Sequence, residues 1–180
     1  DPLEGLAVGG GNVFTVDPSR GLLVYDEPLV GPPNLVATLS AIRHAAYLAV
    51  DSGRLYTSEH EKGLGILDVS IPAAPAEVGR VATPGEAYGI EVAGERAYLR
   101  TATALRIIDL SDPEHPADLG AFATDDHDDA AYQWKPSEFL VAGDLAFVPD
   151  STGLRVLDLA DPGQPVEIGS WPTTWPARSI

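Results

Sequence analysis

Residues 104–116 read ALRIIDLSDPEHP, and the pattern returns as GLGILDVSIPAAP at 63–75 and as GLRVLDLADPGQP at 153–165. A shorter relative, GLLVYDE, stands at 21–27. Each has a small residue, an apolar run and a closing aspartate: Asp26, Asp68, Asp109 and Asp158. Working outward, an aromatic in a second apolar run precedes each one: Phe14 in NVFTV, Tyr56 in RLYTS, Tyr98 in RAYLR and Phe147 in LAFVP. The aspartates are spaced by 42, 41 and 49 residues and the aromatics by 42, 42 and 49. Two independent markers in one register identify an internal repeat of about 42 residues.

Each repeat also has an earlier run (GLAVGG, AAYLAV, YGIEVAG, EFLVAG) and a later one (LVATLS, AEVGRVATP, ADLGAFATD, VEIGSWPTT). These short segments favour Val, Ile, Leu, Tyr and Phe and are bounded by Gly, Pro, Asp and Ser, so they read as strands. The 16 prolines break most helical candidates. Four strands per repeat of this length match the blade of a β-propeller. The expected fold is all-β: a β-propeller of four-stranded blades, with four repeats in this chain. Their approximate ranges are 3–40, 41–83, 84–124 and 133–174, with an acidic insertion at 125–132. A β-sandwich has no reason to repeat at this period.

The unit at 88–124, YGIEVAGERAYLRTATALRIIDLSDPEHPADLGAFAT, resembles an LVIVD repeat, most specifically in IIDLSDPEHP (107–116) and the following LG (119–120). The second and fourth repeats share the pattern as ILDVSIPAAPAEVG (66–79) and VLDLADPGQPVEIG (156–169). The first departs from it, since VYDEPLVGPPNLVA (24–37) lacks the Asp-Pro turn and the glycine. The resemblance implies a bacterial or archaeal propeller of the exported, periplasmic or cell-surface kind. Such proteins serve mainly as binding or scaffolding modules.

Turn chemistry points the same way. In SDPEHP and ADPGQP an aspartate precedes a proline whose fixed φ suits the second position of a turn. AGER and AGDL supply glycine turns between first and second strands. VGGGN at 8–12 lacks the lysine and following helix of a phosphate loop and reads as a hairpin.

The 180 residues carry 27 acidic and 11 basic side chains, a net charge of −16. Such a surface repels nucleic acid and anionic membrane. Cysteine is absent, which excludes disulfides and thiolate metal sites. No apolar run approaches the roughly 18 residues of a spanning helix. Methionine is absent even at position 1, so the chain reads as a processed product or a piece of something longer.

The third repeat interval is eight residues longer than the second, and the excess falls around DDHDD at 125–129. In blade order this joins an outer strand to the next inner strand, on the face that also carries the loops between second and third strands. Asp125, Asp126, His127, Asp128 and Asp129, with Glu59 and His60 nearby, form a candidate site for a hard cation such as calcium. The loop has neither the glycine pivot nor the distal glutamate of an EF-hand, so any affinity is expected to be on the order of 10⁻³ M. A solvated acidic loop is the simpler reading, and no resident cofactor is expected. Arg43 and His44 begin an inner strand and are candidate partner-binding residues, although a hydrogen-bonded structural role is the default for His44. Trp134, Trp171 and Trp175 are expected to pack between blades or, as the alternative, to form an aromatic platform. His115 belongs to an Asp-Pro turn and is expected in solvent.

No G-x-S-x-G nucleophile elbow occurs. The leading reading is therefore a non-enzymatic extracytoplasmic scaffold or protein-interaction propeller. The alternatives are a metal-assisted hydrolase or lyase using the 125–129 loop, and a carbohydrate-binding module using the tryptophans. A closed ring of four blades would leave TTWPARSI (173–180) without a place, so the chain is expected to be an arc of a larger propeller. Its partners would then be other proteins or further blades.

Overall fold

A computed structural model of the chain describes residues 4–26, 31–124 and 138–173. Sixteen strands form four antiparallel sheets, each in simple sequence order. The first sheet holds β1 (Glu4–Gly9), β2 (Asn12–Asp17), β3 (Gly21–Asp26) and β4 (Leu35–Leu39). The second holds β5 (Ala45–Asp51), β6 (Arg54–Glu59), β7 (Gly63–Asp68) and β8 (Ala76–Val81). The third holds β9 (Ala87–Ala93), β10 (Arg96–Thr101), β11 (Ala104–Asp109) and β12 (Ala117–Ala123). The fourth holds β13 (Leu140–Ala142), β14 (Leu145–Asp150), β15 (Gly153–Asp158) and β16 (Val166–Pro172). We call these sheets blades 1 to 4. No helix occurs among the described residues.

The closing aspartates of the repeat owe their regularity to turn geometry. Asp68, Asp109 and Asp158 each accept a backbone N–H two residues on, from Ser70, Ser111 and Ala160 at 2.8–2.9 Å. Asp26 instead accepts the backbone and side-chain N–H groups of Asn34. Beyond each aspartate of blades 2 to 4, a leucine or valine N–H reaches back to the hairpin between first and second strands: Val69 to Gly53, Leu110 to Glu95 and Leu159 to Asp144. The aspartate thus turns the chain and tucks the next apolar side chain under its own blade. The four hairpins between first and second strands close on glycines with positive φ: Gly10–Gly11, Gly53, Gly94 and Gly143.

The first strands of successive blades lie side by side, β1 against β5, β5 against β9 and β9 against β13. They line the axis, and the fourth strands lie outermost. The core sits between blades rather than within one. Phe14, Leu22 and Val24 of blade 1 meet Ile42, Leu48, Leu55, Leu67 and Val69 of blade 2. Tyr56, Leu64 and Ile66 of blade 2 meet Ala97, Leu99, Ile108 and Leu110 of blade 3. Tyr98, Leu105 and Ile107 of blade 3 meet Ala146, Val148, Leu157 and Leu159 of blade 4. Every second residue of the second and third strands faces one neighbour and the alternate residues face the other, which is why these strands read as nearly continuous apolar runs. Among the described residues no apolar cluster joins blade 4 back to blade 1, so the sheets form an open arc.

A register shift recurs between the third and fourth strands at Val24/Tyr25, Ile66/Leu67, Ile107/Ile108 and Val156/Leu157. Each places one extra residue on the outer strand: Val36, Val78, Leu119 or Ile168. Such a bulge re-aims a side chain. In blade 2 it turns Val78 into the cluster shared with blade 3.

Candidate functional site

One candidate region is a cleft of about 550 Å³ on the face that carries the turns between second and third strands. Its walls come from the β4–β5 connection (Ala41, Arg43, His44), the turn after β6 (Glu59, His60, Glu61, Lys62) and Glu86 just before β9. Arg43 and His44 are exposed at its rim, so His44 is a surface group rather than a packed structural histidine. Arg43 donates from Nε to the Ser40 carbonyl at 2.9 Å. Glu59, read from sequence as a loop residue, is the last residue of β6 and only 2% exposed. Its Oε1 accepts Arg80 Nη2 at 2.9 Å and the Thr57 hydroxyl at 3.1 Å, while Lys62 Nζ lies 3.4 Å from Oε2. Two cations on a buried carboxylate make it a structural anchor. Sequence inspection missed the pair because Arg80 lies 21 residues away, on the outer strand.

The equivalent strand ends in blades 1 and 4 are also occupied structurally. Asp17 Oδ1 accepts from Ser19 and from the Arg20 backbone, and these bonds hold its carboxyl below the usual range. For Asp150 burial works to raise the carboxyl, but bonds from Thr152 and Arg155 outweigh it and the group is held low. Arg155 Nε lies 2.6 Å from Asp150, and its Nη1 reaches Glu167 at 2.6 Å. In blade 3 the place of the carboxylate falls to Thr101, beside a fully buried Arg100 that bonds the Thr124 hydroxyl. Nothing in the sequence flagged Arg100, since one arginine in a strand end carries no pattern.

Asp125 to Asp129, Trp134 and Trp175 lie outside the described residues. Among the described residues no three His, Asp or Glu side chains are grouped to hold a metal ion. His115 projects into solvent from its turn, 3.0 Å from Asp112.

The second candidate region is the outward face of blade 4. Phe14, Tyr56 and Tyr98 are buried in blades 1 to 3, whereas their counterpart Phe147 is half-buried. Leu154 and Val156 are also half-buried, where Leu64, Ile66, Leu105 and Ile107 are sealed. On the outer strand, Leu39, Val81 and Phe122 pack against the following blade. Trp171, two residues beyond the repeat glycine like Val81 and Phe122, is 75% exposed, and the bulge residue Ile168 is 59% exposed. Among the described residues Trp171 therefore packs against no neighbouring blade. It lies within β16.

An open arc of four-stranded blades, with its polar strand ends committed to turns and ion pairs, defines a β-propeller segment. LVIVD repeat models match residues 42–83, 84–124 and 137–173. These cover more than half of the sequence, and the chain belongs to the LVIVD repeat family. Blade 1, whose sequence departs from the pattern, is not matched.

No curated protein matches the sequence significantly. Among solved structures, a functionally unknown protein from Desulfotomaculum acetoxidans superposes with a TM-score of 0.75 at 15% identity, over 98% of this chain and 58% of that one. The computationally designed Ika8 protein gives 0.73 at 12% identity, over 98% and 51%. The designed Ika4 protein gives 0.58 at 12% identity, over 96% and 91%. The chain thus spans a little over half the length of the two structures it fits better.

Proposed function

We propose that this chain is a non-enzymatic, extracytoplasmic scaffold or protein-interaction segment of a bacterial or archaeal propeller. The observation that carries the reading is the uncovered face of blade 4, where Phe147, Leu154 and Val156 are half-buried in positions that every other blade buries, and Trp171 is exposed where Leu39, Val81 and Phe122 are half-buried. A contiguous apolar face of this kind marks an interaction surface. The better superposition on half of a larger protein than on nearly all of a smaller one supports an arc of a larger ring. The cleft at Arg43 and His44 supplies a second, polar contact surface.

The metal-assisted hydrolase or lyase reading draws no comparable support, because Glu59 spends its oxygens on Arg80, Lys62 and Thr57. The exposed Trp171 is the one observation that favours an aromatic platform for a sugar. Its place at an inter-blade packing position favours protein contact instead.

The test is a charge placed on the face. Ile168→Glu should leave the thermal unfolding of the isolated chain nearly unchanged, since the side chain is already exposed. In the presence of the protein's binding partners or further blades, the same change should abolish association. Full association by Ile168→Glu, with loss caused instead by Arg43→Glu, would move the binding surface to the cleft.

A further inference from the structure

The repeat glycine of the outer strand identifies what covers this face. An added Cβ at Gly79 of blade 2 would stand 2.0 Å from the Pro113 carbonyl oxygen of blade 3. At Gly120 of blade 3 it would stand 2.5 Å from the Pro162 oxygen and 2.9 Å from the Gly163 oxygen of blade 4. Neither glycine has a positive φ, so a side chain is forbidden there by the neighbouring blade and not by the backbone. In both cases the neighbour is an Asp-Pro turn, Asp112–His115 or Asp161–Gln164, closed by a backbone bond of 3.0 Å. The aspartate Oδ1 of each turn accepts a further N–H, from Glu114 or Gly163.

The first interface is the internal control. Blade 1 has Ala37 at the glycine position, paired with Val24 as Gly79 is with Ile66. The turn that follows it in blade 2 is Ile71–Ala74, without the aspartate, and Ile71 is 65% exposed. Glycine therefore goes with an Asp-Pro turn on the next blade, and alanine with its absence. Gly169 of blade 4 has the glycine, yet among the described residues the sole atom near its added Cβ is Val156 Cβ of its own sheet, at 4.0 Å.

We infer that the blade 4 face receives a further repeat of this family whose Asp-Pro turn seats its carbonyls on Gly169, covering Ile168 and Trp171. This rests on the reading of that face as the interaction surface. A second copy of this chain does not meet the requirement through its first blade. DEPLVGPPN at 26–34 has no Asp-Pro turn, and Asp26 is already bonded to Asn34. The interface would repeat the contact already made twice within the arc.

The experiment uses the chain with Trp134→Phe and Trp175→Phe, so that Trp171 is the sole indole. In one form a duplicate of residues 84–124, which carries Asp112 and Pro113, is joined after Thr173. In that form Trp171 emission should move to shorter wavelength and acrylamide quenching should fall several-fold. Gly169→Val should reverse both changes in the extended form and alter neither in the unextended chain. Replacing the duplicate's DPEH by IPAA should also reverse them, which guards against a simple folding failure of the valine variant. Burial of Trp171 that survives both changes would overturn the assignment of the Asp-Pro turn while leaving the face as the interaction surface. So would a stoichiometric dimer of the unextended chain with Trp171 buried. Trp171 remaining solvated in every form would overturn the reading of the face itself.

Discussion

Glu91 and Asp150 are carboxylates in two differently built niches, and the niches push them in opposite directions. Glu91, on the axial strand β9, is raised chiefly by desolvation, against the one backbone N–H it accepts from Val141 at 2.9 Å. Its charged form is penalised in the fold. That penalty is present above its folded pKa and disappears as pH falls toward the ordinary 4.5. Glu91→Gln keeps an acceptor for Val141 and removes the charge, so it should raise the urea midpoint at pH 7 and leave it unchanged near pH 4. Asp150 is the reverse case, with a side chain that is 0% exposed and a carboxyl held low. Its contribution is present above the ordinary 3.8 and is lost as pH falls through the lower folded value. Asp150→Asn should cost about 2 kcal/mol at pH 7, the scale of a hydrogen bond to a charged group. The difference from the parent should shrink as pH falls below 3.8, and urea unfolding at pH 7 and in acid checks it.

At the scale of the element, the repeat glycines separate what a strand needs from what its neighbour needs. Gly79→Val forces a methyl-bearing carbon against the backbone oxygen of Pro113 and should destabilise by about 2 kcal/mol or more. Gly169→Val, at the equivalent position with open space, should change stability by less than about 0.5 kcal/mol in this chain. Chemical denaturation of the two variants side by side distinguishes packing from backbone preference. The elements themselves were legible in the sequence, because alternation, turn residues and the spacing of Asp68, Asp109 and Asp158 are local properties. The Asp-Pro turns were legible for the same reason. The role of Gly79 and Gly120 was not, since it depends on a blade about 40 residues further on. The Glu59–Arg80 pair was hidden in the same way, and His44 was misjudged because its exposure is set by where β4 hands over to β5. Trp171 carried an aromatic's usual expectation of packing, and only the open arc shows that no blade covers it among the described residues.

At the scale of the whole molecule, each apolar cluster among the described residues is shared by two adjacent blades, so stability is a sum of blades and shared interfaces rather than one cooperative core. Blades 2 and 3 are covered on both sides by apolar clusters, whereas blade 4 is covered on one. Blade 4 is weaker at the axis as well, because β13 is three residues long and β9 meets it less closely than β5 meets β9. Local opening therefore costs least in β13–β16 and most in β6, β7, β10 and β11. Native-state hydrogen exchange should show the amides of Leu64, Ile66, Leu105 and Ile107 as the slowest. Those of Leu154 and Val156, at equivalent ladder positions, should exchange at least about tenfold faster, which corresponds to about 1.4 kcal/mol of difference in opening free energy. The net charge of −16 adds a uniform self-repulsion that salt screens, so raising the ionic strength should slow exchange in all blades without changing their order. Equal protection across blades 2, 3 and 4 would show that the fold opens as one unit and that the uncovered face of blade 4 carries no energetic deficit.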